Sequence, residues 1–309
     1  WITKAKTTLP CILDGESVLS IGSSLASAER NQEAYVLAAN NSIAFEGAKT
    51  AGVGFILKEH DAKKILSTNL SNAEVLRPYL SGEDVNTHFA HQPSRWVINF
   101  RDMPLVRTGE FSNVVYCAED FPECLSVVEA RVKPERMSLT GRTPQERTLK
   151  NRWWQFYLWR PALASALASK ARALVSSRVT AHHNFCFAPT NIVFSDRLVV
   201  IALDDWGSFA LISSTIHGIW AHRPGATTQG TTLNYLPTWA FATFPFPLSR
   251  GSLTEIGEKY NSCRQQIMQD RQEGMTKTYN RFHDQDEISV DILELRRLHA
   301  EMDNAVATA

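Results

Sequence analysis

Alternating apolar and polar positions predict β-strands in two parts of the chain. Over residues 94–100, the alternation places Trp96 and Ile98 on one face of a strand. Residues 179–203 hold several short apolar runs separated by turn-forming residues, which is the pattern of a β-meander. Residues 1–58 are also typical of strands and turns. The sequence therefore predicts a substantial β component.

Apolar residues recur at helical spacing in several other segments, which predicts α-helices. The predicted helices cover residues 61–67, 73–80, 113–132 with a break at Pro122, 161–177, 209–220, 253–273 and 289–307. The last two are strongly charged and are joined by a polar linker at 274–287. Together the patterns predict an α+β fold, with a mixed, β-rich domain over residues 1–250 and a C-terminal helical extension over 251–309.

Positive charge is concentrated in one segment of an otherwise neutral chain. The 309 residues carry 32 basic and 32 acidic side chains, yet residues 131–178 hold eleven basic and two acidic ones. Such a concentration favours binding to a polyanion, because Lys and Arg that neutralise phosphates release condensed counterions. The alternative interpretation is a solvated helix face, since charge runs commonly lie on the surface.

The sequence disfavours several classes of protein and site. Its longest apolar run, residues 198–203, is far shorter than the roughly 18 residues of a membrane-spanning helix, so we expect a soluble protein. The five cysteines form no C-x-x-C pair, which argues against a disulfide framework and favours the cytoplasm. Neither His182-His183 nor Asp204-Asp205 has the spacing of a metal site, and no nucleophile motif occurs. We therefore expect no catalytic residue and no metal in this chain.

A polar tract follows the helix predicted at 209–220. Between residues 222 and 234 it is rich in hydrogen-bonding side chains and is interrupted by glycines. Arg, Gln and Asn are the residue types that pair bidentately with guanine or adenine edges in the major groove. By composition alone, however, a polar hairpin or loop without a special role is the favoured interpretation.

Nine short motifs, taken in order, resemble a known enzyme family. They are VLRPYLSGED at 75–84, RWVINF at 95–100, VKPER at 132–136, WW at 153–154, WRP at 159–161, SSTIHGIW at 213–220, TFPFP at 243–247, GMTKTYNRFH at 274–283 and LRRLHAEMD at 295–303. The series resembles the region after the methyltransferase in type IIG and IIL restriction-modification enzymes, the MmeI-like group. The resemblance spans roughly residues 35–309, and the ordered series is specific where any one motif would not be.

The resemblance implies that this chain is the recognition part of a larger enzyme. The family joins a nuclease, an adenine methyltransferase, a target recognition domain and C-terminal helices in one polypeptide. Neither the N-P-P-Y methyltransferase motif nor a D…E-x-K nuclease motif occurs here, so we expect the catalytic parts upstream of Trp1. Residues 1–58 are then a candidate linker from that methyltransferase. Whether this chain is itself part of an enzyme rests on those upstream domains.

The function implied by the resemblance is sequence-specific recognition of double-stranded DNA. The chain would present an adenine to the upstream N6-adenine methyltransferase, which flips the base out of the stack. No cofactor is expected in this chain. S-adenosylmethionine and Mg²⁺ are expected only for the catalytic domains of the parent enzyme.

The resemblance also suggests which side chains read bases and which hold phosphates. Base-reading positions of the family fall in the variable segment before the TFPFP motif and in the β-rich part of the recognition domain. The predicted base-reading residues are Arg223, Thr227, Gln229, Thr231 and Asn234, with Arg178, His182, His183 and Asn184 as a second group. The predicted phosphate contacts are Arg136, Arg142, Arg147, Lys150, Lys170 and Arg172.

A function of a different class stays open at this point. The strongly charged C-terminal helices are also compatible with a protein interaction and assembly module, which docks partner domains and has no DNA affinity of its own. The two functions differ in their response to salt, because binding through several phosphates weakens steeply as salt rises.

Overall fold

The computed structural model describes residues 11–18, 34–222 and 232–309, together with the backbone of residues 227 and 228. It confirms the α+β class. The helices are α1 (Glu59–Thr68), α2 (Gly82–Thr87), α3 (Pro122–Arg131), α4 (Lys133–Ser138), α5 (Pro144–Asn151), α6 (Pro161–Leu167), α7 (Trp206–Ser213), α8 (Thr215–Ala221), α9 (Thr254–Arg271), α10 (Met275–His283) and α11 (Val290–Ala307). Within the described residues, none of the helices combines the length and apolar character that a membrane crossing needs.

The strands of the described residues form four sheets. They are β1 (Cys11–Leu13), β2 (Glu16–Val18), β3 (Ala44–Glu46), β4 (Ile56–Lys58), β5 (Leu76–Leu80), β6 (Arg95–Ile98), β7 (Arg172–Ser177), β8 (Val179–Thr180), β9 (Cys186–Pro189), β10 (Val193–Phe194), β11 (Leu198–Ile201), β12 (Thr227–Thr228) and β13 (Thr232–Asn234). Strands β1 and β2 form a two-stranded sheet of their own. The strand orders of the other three sheets are β10-β5-β6-β4, β3-β11-β7-β9 and β12-β13-β8.

The antiparallel sheet β3-β11-β7-β9 lies between two hydrophobic clusters. Strand β11 is buried along its whole length. Val199 and Ile201 belong to one cluster, whereas Leu198 and Val200 belong to another on the opposite face. Because successive side chains of a strand point to opposite faces, a strand covered on both sides becomes a continuous apolar run.

The sheet β10-β5-β6-β4 packs on a third cluster. Strands β5 and β6 are antiparallel, and β10 joins β5 in parallel. In β6 both Val97 and Ile98 are fully buried, although the alternation of the sequence predicted only one buried face. Helix α3 contributes Cys124 and Val128 to this cluster, so the sheet and the helix share one core.

The C-terminal helices α9 and α11 pack into the same core as the sheet β3-β11-β7-β9, which we call the central sheet. Tyr260 of α9 and Leu295 and Met302 of α11 belong to the cluster that also holds Val199 of β11 and Phe209 of α7. Helices α9 and α11 therefore cover the apolar residues of α7 and of the sheet.

Two predicted helices are wrong because parts of them are strands. Residues 76–80 form β5 rather than a helix, and Ser81 begins the next helix instead of ending the previous one. The Ser81 hydroxyl accepts from the Asp84 amide, and the Asp84 carboxylate accepts from the Ser81 amide, which is a capping box. Helix α6 likewise ends at Leu167, and β7 occupies much of the rest of the predicted helix. Short apolar runs buried on both sides do not distinguish a strand from a helix by periodicity.

Two other predictions placed helix boundaries incorrectly. The single helix predicted at 209–220 is two helices, α7 and α8, separated by Ser214. The Ser214 hydroxyl accepts from the His217 amide at 3.3 Å and caps α8. The polar linker predicted at 274–287 contains α10, whose buried Met275 and Tyr279 pack in the cluster beneath the central sheet.

Candidate nucleic-acid interface

The small sheet β12-β13-β8 brings Asn234 of the first predicted base-reading group close to Arg178 of the second. Leu233 pairs with Thr180 and Asn234 with Val179 in antiparallel register. Just beyond the pairing, the Tyr235 amide donates to the Arg178 carbonyl at 2.8 Å. The paired residues Leu233 and Thr180 are 53 positions apart in the chain, yet their strands are hydrogen-bonded neighbours.

The first predicted group falls largely outside the described residues. Arg223, Gln229 and Thr231 lie outside them, and Thr227 is described only by its backbone in β12. Asn234 lies at the end of β13 and is half-buried. Its Oδ1 atom is buried and has no hydrogen-bond partner among the described residues.

Arg178 lies between β7 and β8 and is half-buried. Its Nη1 atom lies 3.4 Å from the carboxylate of Glu46 on β3. The guanidinium Nε has no hydrogen-bond partner among the described residues. Arg178 lines a small cavity of about 150 Å³ together with Asn86 and Arg197, which places two arginines beside the β8 edge.

His182 and His183 face a larger cavity of about 480 Å³ beside α8 and α10. His182 Nε2 lies 2.7 Å from Asn280 Oδ1, and its ring stacks on that of His283 with centroids 5.0 Å apart. His183 Nε2 donates to the Ile212 carbonyl at 2.7 Å. Burial lowers the pKa of His183 to about 4, so this ring is neutral at physiological pH.

This histidine-lined cavity has no metal-binding geometry among the described residues, because no three His, Cys, Asp or Glu side chains are arranged to share an ion. His222 and His299 complete its histidine lining. The His222 ring donates from Nδ1 to the Gly218 carbonyl at 2.8 Å, while His299 lies 3.5 Å from the Asp303 carboxylate. The cavity is thus lined by rings that are held by hydrogen bonds or stacking.

Asn184 differs from its predicted role. It is 1% exposed, and no base edge can reach it in this conformation. The structure therefore removes Asn184 from the base-reading residues.

Arg136 is also placed differently from the prediction. It is 2% exposed, and its guanidinium donates to backbone carbonyls of two separate loops. The acceptors are Arg152, Trp153 and Gln155 in one loop and Thr50 and Ala51 in the other. Burial lowers the pKa of Arg136 to about 10. A side chain that is enclosed in this way holds the fold together and cannot reach a phosphate.

Lys170 and Arg172 are engaged with neighbouring residues. Lys170 Nζ lies 3.0 Å from the Asp204 carboxylate. Arg172 donates to the Asp204 carbonyl and is sandwiched between aromatic rings, 3.8 Å from the centroid of Phe187 and 4.2 Å from that of Trp206. These contacts hold both side chains in place, although each keeps N–H donors that they do not use.

The remaining predicted phosphate residues lie just before α5 or on it. Arg142 and Arg147 are exposed, and Arg147 donates to the carbonyls of Gly141 and Arg142. Lys150 donates to the Leu139 carbonyl at 2.9 Å. Among the described residues, the Arg142 side chain has no hydrogen-bond or ion-pair partner. Arg142 is therefore the best placed of the six for an external anion.

Sequence reasoning missed a cleft that is lined by Arg77, Arg101 and Arg160. These residues are far apart in the chain and only Arg160 belongs to the basic segment 131–178. Arg77 and Arg160 do lie within two of the nine motifs, VLRPYLSGED and WRP, which is the signal that could have indicated them.

The sequence model of the MmeI target recognition domain matches residues 31–248. This chain belongs to that family. The target recognition domain family thus covers the β-rich region that carries the small sheet β12-β13-β8. The structural similarity reaches beyond residues 31–248, as the comparison with a solved structure shows.

That solved structure is of MmeI, described as a Type IIL restriction-modification enzyme in complex with DNA. It superposes with a TM-score of 0.62 at 16% identity, over 95% of this chain and 36% of the MmeI chain. At that identity the likeness establishes the fold, including the C-terminal helices. Our chain spans about a third of the length of the MmeI chain. The comparison with individually curated proteins gives no match.

Proposed function

We propose that this chain selects the DNA sequence on which a restriction-modification enzyme acts. The observation that carries the proposal is the match of residues 31–248 to the family of MmeI target recognition domains. The pairing of β8 with β13 supports it, because it brings Asn234 close to Arg178, one residue from each predicted base-reading group. The solved MmeI structure, which contains DNA, has the same fold.

The proposed readout surface combines side chains of β8 and its following loop with those of the segment between α8 and β13. The described members Arg178, His182 and Asn234 are each partly exposed. Arg223 and Gln229 supply the residue types that pair bidentately with guanine and adenine, and Thr227 and Thr231 add hydroxyls.

The adenine presentation is a finer part of the proposal. The chain would hold the duplex so that an N6-adenine methyltransferase, upstream in the parent enzyme, receives an extruded adenine. S-adenosylmethionine and Mg²⁺ would belong to those upstream domains, and no cofactor is assigned to this chain. The support is the order of the nine motifs along the sequence.

Selection from a pool of random duplexes tests the proposal. The 309-residue chain is incubated with the pool at low salt, and the retained DNA is sequenced. An enriched motif is the expected result. Retention without enrichment would leave only a sequence-independent grip, and no retention at any salt would favour the protein-docking module.

Matched variants distinguish residues that contact bases from residues that contact phosphates. Gln229→Ala or Arg223→Ala should cost about 1–3 kcal/mol at one base position or change the selected motif. Arg142→Ala, the control, should weaken binding to all sequences alike, because an exposed arginine near phosphates carries no base information. Equal losses on every sequence from all three substitutions would contradict the division of roles.

A further inference from the structure

Three arginines from separate elements converge on one cleft of about 430 Å³. Arg77 comes from β5, Arg101 follows β6, and Arg160 directly precedes α6. The cleft is closed on its other side by residues 190–194, which lead from β9 into β10. The convergence is a product of the fold, since these arginines are separated by 24 and 59 positions in the sequence.

Two of the three guanidiniums are held in place by the protein. Arg160 Nη2 lies 2.9 Å from the Glu46 carboxylate, and its Nε donates to the Gly47 carbonyl at 3.1 Å. Arg101 Nη2 donates to the Glu74 carbonyl at 3.2 Å. These contacts leave further N–H groups on each guanidinium, because an arginine carries five donors.

Arg77 has no hydrogen-bond or ion-pair partner among the described residues, although it is only half exposed. Glu74 is the acidic residue in the cleft lining, and the Arg101 contact uses its carbonyl rather than its carboxylate. The lining carries three positive charges and one negative charge, and Glu46 outside the lining pairs with Arg160, which leaves an excess of one positive charge. Partly desolvated guanidiniums in such excess are stabilised by an anion with several acceptor oxygens.

The rest of the lining fits an anion that carries an organic group. Asn99, Thr190 and Asn191 add polar side chains, whereas Leu163 and Ile192 form an apolar wall. A sugar–phosphate unit has this division between a charged and a less polar part. Inorganic anions alone would leave the apolar wall unused.

We propose that this cleft binds a phosphate ester, namely the sugar–phosphate backbone of duplex DNA. The inference rests on the proposed function. It adds a phosphate contact to those predicted from the sequence, of which Arg136 is enclosed by the protein and Lys170 and Arg172 have neighbouring partners. Glu46 contacts both Arg160 of the cleft, at 2.9 Å, and Arg178 beside β8, at 3.4 Å, so the cleft adjoins the proposed readout surface. A backbone contact beside that surface would set the register of the duplex without reading its sequence.

Arg77→Gln is the decisive substitution, because it removes a charge that has no partner within the described residues and should leave the fold intact. The affinity of the 309-residue chain for a duplex of the selected motif and for an unrelated duplex is measured over a series of salt concentrations. Lys64→Gln is the charge-matched control, because Lys64 is exposed on α1 and forms no ion pair with any residue that the structure describes.

The expected result is a several-fold loss of affinity for both duplexes, with an unchanged selected motif. The slope of log affinity against log salt should fall by about one, which is the loss of one phosphate contact. Arg101→Gln should act in the same direction. Wild-type affinity and slope in Arg77→Gln, with the duplex still bound, would overturn the inference while leaving the proposed function intact.

A free nucleotide also carries a phosphate ester and could occupy the cleft instead of DNA. Titration with ATP in the absence of DNA distinguishes these two ligands. ATP binding that Arg77→Gln abolishes, together with unchanged DNA affinity, would overturn the DNA backbone as the source and assign the cleft to a nucleotide. If the wild-type chain binds no duplex, the proposed function fails, and the absence of ATP binding would then overturn the cleft as a phosphate-ester site.

Discussion

Arg136 and Arg264 are arginines whose positions in the sequence give no indication of burial. Arg264 lies on the charged helix α9 and is 0% exposed. Its guanidinium donates to the Tyr279 hydroxyl at 3.1 Å and to Asn261 Oδ1 at 2.9 Å. Neither arginine forms an ion pair among the described residues. The Nη atoms of each donate to neutral oxygens, five of which are backbone carbonyls around Arg136, whereas both Nε atoms are buried without a partner among those residues. The sequence therefore shows which residues are charged, but not whether their side chains are exposed.

Replacing Arg136 with Lys should destabilise the fold without a specific effect on DNA binding. A single ammonium cannot reach carbonyls in both loops, so buried acceptors would lose their donors. We expect a loss of about 3 kcal/mol in the free energy of unfolding, measured by urea denaturation. Arg142→Lys, an exposed change of the same type, should leave the midpoint unchanged. Full stability of Arg136→Lys combined with a selective loss of DNA affinity would restore its predicted phosphate role.

Buried His91 should make the stability depend on pH. Desolvation, with a contribution from the charge of Arg264, lowers its pKa from 6.5 to about 4. The unfolded state thus binds a proton more readily between those values, and stability is lost as the pH falls from 6.5 to about 4. His91 donates from Nδ1 to the Val85 carbonyl and has a positive φ of 51°, both of which Asn can reproduce. Urea denaturation of His91→Asn should show a shallower loss over this range than the wild type, and equal slopes would contradict the assignment.

At the scale of elements, close approach of backbones decides how the helices pack. Gly257 of α9 faces the Trp206 carbonyl at the start of α7, and a Cβ at Gly257 would lie 2.3 Å from that oxygen. The same construction would place a Cβ of Gly274, at the start of α10, 2.3 Å from the Thr87 carbonyl carbon at the end of α2. Glycine at these two contacts lets α9 and α10 join the core that contains the central sheet.

Gly257→Ala should destabilise the protein, although Ala is ordinarily favoured over Gly in a helix by about 1 kcal/mol. The added Cβ would overlap a backbone oxygen that cannot move without shifting α7, which costs about 1–3 kcal/mol. Thermal or urea unfolding gives the sign directly. Gly251→Ala is the control, because the nearest atom to its added Cβ is a side-chain oxygen at 3.9 Å. An increase in stability for Gly257→Ala would show that α7 and α9 are not packed this closely.

At the scale of the whole molecule, residues on both sides of the predicted domain boundary at residue 250 belong to one hydrophobic cluster. Phe209 and Val199, before the division, belong to the same cluster as Tyr260, Leu295 and Met302 after it. Apolar burial stabilises by roughly 25 cal/mol per Å², so removal of α9 and α11 would expose a large part of the core.

A chain that ends at residue 250 should therefore lose cooperative unfolding. Near-ultraviolet circular dichroism and urea titration of residues 1–250 would be compared with the 309-residue chain and with a control that lacks only Thr308 and Ala309. The control should unfold like the full chain, because both residues are exposed at the end of α11. Cooperative unfolding of residues 1–250 at the midpoint of the full chain would establish the predicted division as a true domain boundary.

The sequence by itself determined the α+β class, the family and the helices with clear amphipathic periodicity. Helix α1 and the long helices α9 and α11 lie close to their predicted limits, because one apolar stripe and one polar face are enough to specify them. Membership of the family followed from the order of short motifs and was confirmed over residues 31–248. Neither result depends on which distant segments come into contact.

Tertiary structure alone decided which residues form strands and which charged side chains remain exposed to solvent. Residues 172–177 became β7 because both of their faces are covered, which periodicity cannot reveal. Arg136 was enclosed by two loops about a hundred residues apart, while Arg77, Arg101 and Arg160 converged on one cleft. Burial and convergence are set by long-range contacts, whereas a residue's type and its local pattern are all that the chain records by itself.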